Sequence, residues 1–429
     1  MNYKMTLDAS PLTPFHLRLV LLVFSAHMID GYALGVIGYV IDYYETQQNI
    51  SPVVQGLLGS SALPGLFLGS MILGRMADKY GRNTLFIVSF VIIFIASLLQ
   101  FFFYSIPGII LLRFILGVGI GGDYAVGLTL LAEFLPKKQR GVLLGLFSPV
   151  WTVGYVIAIA SARYFVTTPD HGTVRLLLAF PAGPALLILL FRLGIPESPV
   201  WLLSRERISD ARKVLAQYFP RAEIVLSEGN IRHTHPSSGL FSAQIWRSTL
   251  FASLFFICIV LPYFAIYTFL PFFLEKMPVL TFMQRGISME VFLLFGALFG
   301  LWLTRQFPRR QFTLVSFGVL GLCLITLVVA DSALVISLSF ALFTLFISAI
   351  SNLTGVYLPE CFPTALRSSG VGFATAMSRI GAALGTFLLP IIVEGYGMEV
   401  CLLLLSAVLL IGLAATWYWA PRGNAHSLE

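Results

Sequence analysis

Glu133-Phe-Leu-Pro136-Lys-Lys-Gln-Arg140 recurs as Glu360-Cys-Phe-Pro363-Thr-Ala-Leu-Arg367, and this repetition decides the architecture. Both stretches read E-x-x-P-x-x-x-R. One follows the fourth apolar run of the chain and the other follows the tenth, so equivalent places in two halves carry the same motif. Duplicated six-helix halves are the arrangement of many secondary transporters, with the solute held between them near the middle of the membrane. Each motif would also serve as a helix cap that orients the next segment, and the two roles are compatible.

Working outward, 58% of the 429 residues are apolar and 11% are charged, where a soluble domain carries about 25% charge. With 37 Phe and a mean hydropathy of +0.89, too few charges exist to tile an aqueous surface. Lipid is therefore the solvent for most of the chain, which excludes a soluble enzyme, a nucleic-acid binder or a disordered scaffold. A bilayer core of about 30 Å needs about 20 apolar residues per helix. Twelve such runs cover 17–41, 53–76, 84–104, 107–134, 141–164, 174–193, 247–274, 287–305, 311–330, 333–358, 367–393 and 397–419. The expected fold is an all-α membrane protein of twelve transmembrane helices in two pseudo-symmetric halves. Its units are a six-helix N-terminal half over 1–193, a cytoplasmic linker over 194–245 and a six-helix C-terminal half over 246–429.

The net charge of +7 finds its explanation in the loops. With the N-terminus inside, the outer loops hold only Arg163, Arg175, Lys276 and Arg285, and Arg113 and Arg379 fall within spans. The other 21 of the 27 Lys and Arg lie at cytoplasmic ends, loops or termini, so the positive-inside rule puts both termini and the linker in the cytoplasm. Met1 to Pro14 has neither a basic start nor a cleavage site, and the first run is expected to remain as a span. In the linker, Ser204 to Phe219 reads as an amphipathic helix with Ile208, Ala211, Val214, Leu215 and Tyr218 on one side, lying on the membrane face or the bundle base. His233 and His235 have no nearby Cys or carboxylate to make a metal site. Cys258, Cys323, Cys361 and Cys401 form no metal spacing and no disulfide framework.

Gly74-Arg-Met-Ala-Asp78-Lys79-Tyr-Gly81-Arg82, between the second and third runs, resembles the loop signature G-x-x-x-D-[RK]-x-G-[RK] of the major facilitator superfamily. Arg113-Phe-Ile-Leu-Gly117-Val-Gly119-Ile-Gly121-Gly122-Asp123-Tyr124 is similar to the fourth helix of its sugar-porter-like branch, and Pro196-Glu197-Ser198-Pro199-Val200-Trp201-Leu202 to that branch's PESPRWL, with Val200 in place of Arg. Asp30-Gly31-Tyr32 is similar to the FDGYD pattern of metabolite and phosphate proton symporters. The departures narrow the solute. The second loop signature is degraded, with Thr304 where the Asp should be. Helix five has Trp151, and helix seven lacks the Gln residues that would bond sugar hydroxyls. Hexose is disfavoured; phosphate is weakened, although Asp123-Tyr124 resembles the phosphate porters.

A charge at mid-span costs about 2.5–3.5 kcal/mol on insertion scales and marks a cavity or a partner. The resemblance implies that Asp30 pairs with Arg113 and that protonation breaks the pair, making a proton-coupling device of Asp30, Arg113 and Asp123, with His27 one turn before Asp30 as a relay or a packed bundle histidine. Arg113 must reach inward to meet Asp30. Arg379, central in the eleventh run, has no acidic residue elsewhere in the spans of its own half that can neutralise it, and its fork suits a carboxylate. Trp151 and Tyr155, then Tyr263 and Tyr267, are i,i+4 pairs that would clamp a ring or serve as packing. Tyr124 and Asn352 complete the expected binding set. The resemblance also implies an inner gate of Asp78, Arg82, Glu133, Arg140 and Glu197 with Glu360 and Arg367 of the other half.

The sequence therefore points to a proton-coupled symporter of a small organic anion, multi-pass in a bacterial inner membrane, acting as a monomer with the solute, protons and the bilayer as partners. It calls for no cofactor and no metal, and it has no G-x-x-x-x-G-K-[ST] loop for ATP. The alternatives are a proton antiporter exporting a drug, siderophore or other amphipathic product, and a transporter-like sensor.

Overall fold

The computed structural model describes residues 3–5, 12–103, 105–136, 139, 143–165, 171–219, 224–226, 240–243, 245–278, 288–362 and 366–421. Of the sequence expectations, Arg140, His233 and His235 lie outside these residues, as does the side chain of Arg367. The N-terminal half holds α1 (Pro14–Gln48), α2 (Pro52–Tyr80), α3 (Arg82–Phe102), α4 (Ile106–Phe134), α5 (Leu143–Tyr164) and α6 (Gly172–Arg192). The C-terminal half holds α7 (Trp246–Thr268), α8 (Ser288–Gln306), α9 (Arg309–Val329), α10 (Ala333–Ser351), α11 (Arg367–Tyr396) and α12 (Met398–Trp419). Among the described residues eleven helices are long and apolar enough to cross a membrane, and α8 takes the remaining place. The twelve-helix, two-half fold expected from the sequence is the fold observed.

Helix boundaries follow local chemistry. Ser51 and Ser105 precede helices that carry Pro in their first turn, where a missing N–H costs nothing. Thr13 and His16 form a capping box at the start of α1. α1 runs well past the apolar stretch, to Gln48, because residues outside the hydrocarbon need only helix propensity to continue the spiral. The equivalent helices α1 and α7 are each interrupted by a single residue near the outer side: α1 at Val36, and α7 at Phe269, after which Leu270–Lys276 continues. Pro271 in the first turn of that continuation explains the second break.

The tight turn between α2 and α3 needs Gly81. Its φ is +115°, and a Cβ there would lie 2.3 Å from Glu197 Oε2. That carboxylate accepts hydrogen bonds from the backbone N–H groups of Arg82 at 2.8 Å and Asn83 at 3.0 Å. Glu197 of the PESP stretch thus caps α3, a negative group at a helix N-terminus.

The linker helix begins at Ile208 rather than at Ser204, because Glu206 takes a left-handed φ of 59° and separates Pro199–Ser204 from Ile208–Tyr218. Its apolar face is the expected one, with Ala211 and Leu215 buried. Phe219 packs against Phe15, His16 and Phe134, which seats the helix on the base of the N-terminal half. One feature departs from an all-α chain: Tyr3–Met5 pairs antiparallel with Ile224–Leu226, in the register Tyr3↔Leu226. All four cysteines are buried and free.

Candidate functional site

The buried charges of the N-terminal half are arranged differently from the pairing the resemblance implies. Asp30 and Arg113 do not meet. Arg113, 1% exposed, donates from Nη1 to the Ala33 carbonyl at 3.1 Å, one turn beyond Asp30 on α1, and its Nε and Nη2 have no hydrogen-bond partner. The depth difference between the two residues is the reason. Asp30 is fully buried and neither of its oxygens accepts a hydrogen bond. Its nearest basic atom is His27 Nδ1 at 3.7 Å, an i,i+3 neighbour on α1.

Asp123 has a partner that sequence reasoning missed. Arg192, the last residue of α6, is 0% exposed and donates from Nη2 to Asp123 Oδ1 at 2.7 Å. Its Nη1 donates to the Phe86 carbonyl. The guanidinium carbon lies 3.3 Å from the ring centre of Phe86 and 3.8 Å from that of Phe90, a cation held between two aromatic faces of α3. In the sequence Arg192 closes an apolar run and reads as a cytoplasmic-end charge; only the packing of α3, α4 and α6 draws it inward.

From the other half, Arg379 of α11 lies over the ring of Tyr124 at 5.6 Å and near that of Phe256 at 6.0 Å. Among the described residues no carboxylate bridges it, and its Nε has no hydrogen-bond partner. Tyr124 in turn contacts the His27 ring at 4.7 Å. A continuous series therefore runs Arg379, Tyr124, His27, Asp30, from one half of the molecule to the other. Tyr124, Trp151 and Arg379 are only half-buried, so this series borders an opening.

The opening is shut from the outer side. Trp151, Tyr155, Tyr263 and Tyr267 pack on one another, with Tyr263 and Tyr267 stacked at 4.8 Å and Trp151 and Tyr155 at 5.6 Å. The Tyr155 hydroxyl donates across the halves to the Tyr267 carbonyl at 2.7 Å. The rings expected to clamp a ligand instead close on themselves. Beyond them, Gly38 and Gly56 let backbones touch: a Cβ at either would lie 2.3 Å from the carbonyl oxygen of Thr268 or Phe387. A half-buried ion pair between the halves, also unforeseen, lies on the same side. Arg163 of α5 reaches Glu290 of α8 at 3.1 Å and donates to the Tyr39 hydroxyl at 3.1 Å.

On the inner side the charged motifs bind within their own halves. Arg82 bridges Asp78 and, at 3.5 Å, Glu133; Trp201 Nε1 donates to the Asp78 carbonyl at 2.9 Å. In the second half Arg309 meets Glu360 at 3.7 Å, the counterpart of Arg82 with Glu133, although the loop signature around it is degraded. Asn352 Nδ2 donates to the Ala297 carbonyl at 2.7 Å, fastening the end of α10 to α8, while its Oδ1 has no hydrogen-bond partner.

A twelve-helix molecule with two halves, closed on one side around a central polar series, defines an alternating-access transporter of the major facilitator class. The chain belongs to the sugar (and other) transporter family, whose model matches residues 19–429. It is 46% identical over 421 residues to the inner membrane metabolite transport protein YgcS of Escherichia coli, covering 98% of this chain and 94% of that one. It is 28% identical over 394 residues to the niacin transporter NiaP of Acinetobacter baylyi, covering 89% and 88%. Among solved structures it is similar to the xylose transporter XylE of Escherichia coli in a partially occluded inward open conformation, with a TM-score of 0.78, 18% identity and coverage of 96% and 100%. The protein is a multi-pass membrane transporter of a metabolite or sugar-like solute and not an enzyme.

Proposed function

We propose that the chain is a proton-coupled symporter of a small organic anion, a carboxylate, working as a monomer in a bacterial inner membrane with both termini cytoplasmic. The observation that carries this reading is the series Arg379, Tyr124, His27, Asp30, in which a cation of one half without a carboxylate partner is linked through two rings to a buried carboxyl of the other. A carboxylate ligand would complete the hydrogen bonds of Arg379 and recover part of its desolvation cost. A proton on Asp30 would remove the charge that otherwise opposes the anion. Tyr124 and the rings above it offer flat apolar walls to the rest of the solute. In the opposite state of the cycle Arg113, with two unused guanidinium nitrogens, is the partner proposed for ionised Asp30. Niacin, the solute in the name of one relative, is a planar carboxylate of this kind, and the name of another relative supports the inner-membrane location.

The test is binding. Purified protein is titrated with nicotinate, benzoate and cis,cis-muconate alongside neutral and cationic analogues, with thermal stability as the readout. A carboxylate should stabilise the wild type and leave Arg379→Gln unmoved. Stabilisation by neutral or cationic solutes alone, or equal binding by Arg379→Gln, would overturn the anion reading.

A further inference from the structure

The N-terminal half buries two carboxylates, and the coupling proposed above leaves open which of them carries the proton. Their surroundings differ in kind. Asp123 accepts a charge-assisted hydrogen bond from Arg192 at 2.7 Å, and that guanidinium is fixed by the Phe86 carbonyl and by two ring faces. All of these groups lie on α3, α4 and α6. The pair therefore sits inside one half and is not divided when the halves rock against each other. Asp30 has no donor on either oxygen. The ionisable groups around it are His27 on its own helix, Asp123 and Tyr124 on α4, Arg192 on α6 and, through Tyr124, Arg379 on the opposite half. Through Tyr124 its surroundings reach the other half, so relative motion of the halves would alter them, which is what a coupling site requires.

We infer that Arg192 is a positioning residue: it keeps Asp123 ionised throughout the cycle and so leaves Asp30 as the single proton-carrying carboxyl of this half. This rests on the proton-coupled reading and sharpens it to one proton per solute at this site. A buried carboxylate left without its cation is strongly disfavoured, so Arg192→Gln should drive Asp123 to take up a proton. The conservative Arg192→Lys keeps the charge and should keep Asp123 ionised.

The experiment is infrared difference spectroscopy of the full-length protein in lipid, reading the C=O stretch of protonated carboxyls across a pH titration. Asp30→Asn should remove a band from the wild-type spectrum, Asp123→Asn should remove none, and Arg192→Gln should add one that vanishes in Asp123→Asn/Arg192→Gln. Arg192→Lys should resemble the wild type. A purely structural Arg192 would lower stability without adding a carboxyl band. Because Arg192→Gln leaves a buried charge unpaired, the neutral double variant serves where the single one fails to fold. Its solute accumulation should still follow the pH gradient at the wild-type proton-to-solute ratio. Loss of a wild-type band in Asp123→Asn, or loss of coupling in the double variant while Asp30→Asn stays coupled, would overturn the inference. Retention of coupling by Asp30→Asn and Asp123→Asn alike would instead overturn the proton-coupled reading beneath it.

Discussion

The two halves share a scaffold and differ in what they bury at its centre. Each has a broken first helix, a turn after its second helix, and an Arg–Glu pair reaching from that turn to the inner end of its fourth span: Arg82 with Glu133, and Arg309 with Glu360 of the short helix Leu353–Glu360 that follows α10. Within its spans the N-terminal half buries Asp30, Arg113, Asp123, Arg192 and His27, whereas the C-terminal half places Arg379 against Tyr124. The difference teaches a division of labour. On the proposed reading the proton-carrying carboxyl is held in one half and the group that meets an anion is brought toward it by the other, so binding and coupling would depend on how the halves face each other.

The largest effect expected from breaking this contrast is at Arg379. Arg379→Gln should nearly abolish anion binding, and Arg379→Lys, which keeps the charge without the fork, should weaken it roughly tenfold or more, matching the roughly 1.5–3 kcal/mol of a charged hydrogen bond. Isothermal titration with the stabilising carboxylate measures both. Next is the outer seal. Glu290→Gln removes the buried partner of Arg163 and should shift the population toward outward-facing by about 1–3 kcal/mol, less than a fully buried pair would cost because Arg163 keeps some water contact. Cysteines placed at the outer mouth should label faster; unchanged labelling would reduce the pair to local packing.

Smaller effects sharpen the likeness between halves. Arg82→Gln loses two carboxylate partners and Arg309→Gln one, so thermal stability should fall more for the first. Each should cost about 1 kcal/mol, as pairs near water do. Tyr155→Phe deletes the hydrogen bond to Tyr267 and should loosen the outer side by about 0.5–1.5 kcal/mol, seen as a modest rise in the same outer labelling.

The sequence made the fold legible because hydropathy, loop charge and a repeated motif all report on the bilayer, and each can be read locally. The central site was legible in part. Asp30, His27, Tyr124 and Arg379 stood out as polar groups in apolar runs, and the structure brings them together. What escaped depends on distant packing. Arg192 looks like a loop-side cation until α3 and α4 enclose it, and Arg163 pairs with a residue of the opposite half. Asn352 stood out as both donor and acceptor, and its Nδ2 turns to a carbonyl of α8 while its Oδ1 is left without a partner. The four aromatic residues were identifiable as two pairs, but not as a lid closed on itself.

The central claim is that a proton on Asp30 and an anion on Arg379 travel together. Proteoliposomes with an inward-directed pH gradient, loaded with wild type, Asp30→Asn or Arg379→Gln, measure it directly when uptake of the stabilising carboxylate is followed to steady state. Wild type should accumulate the anion above its equilibrium level. Asp30→Asn should exchange it without accumulation, and Arg379→Gln should do neither. Accumulation by Asp30→Asn to the wild-type level would contradict the account.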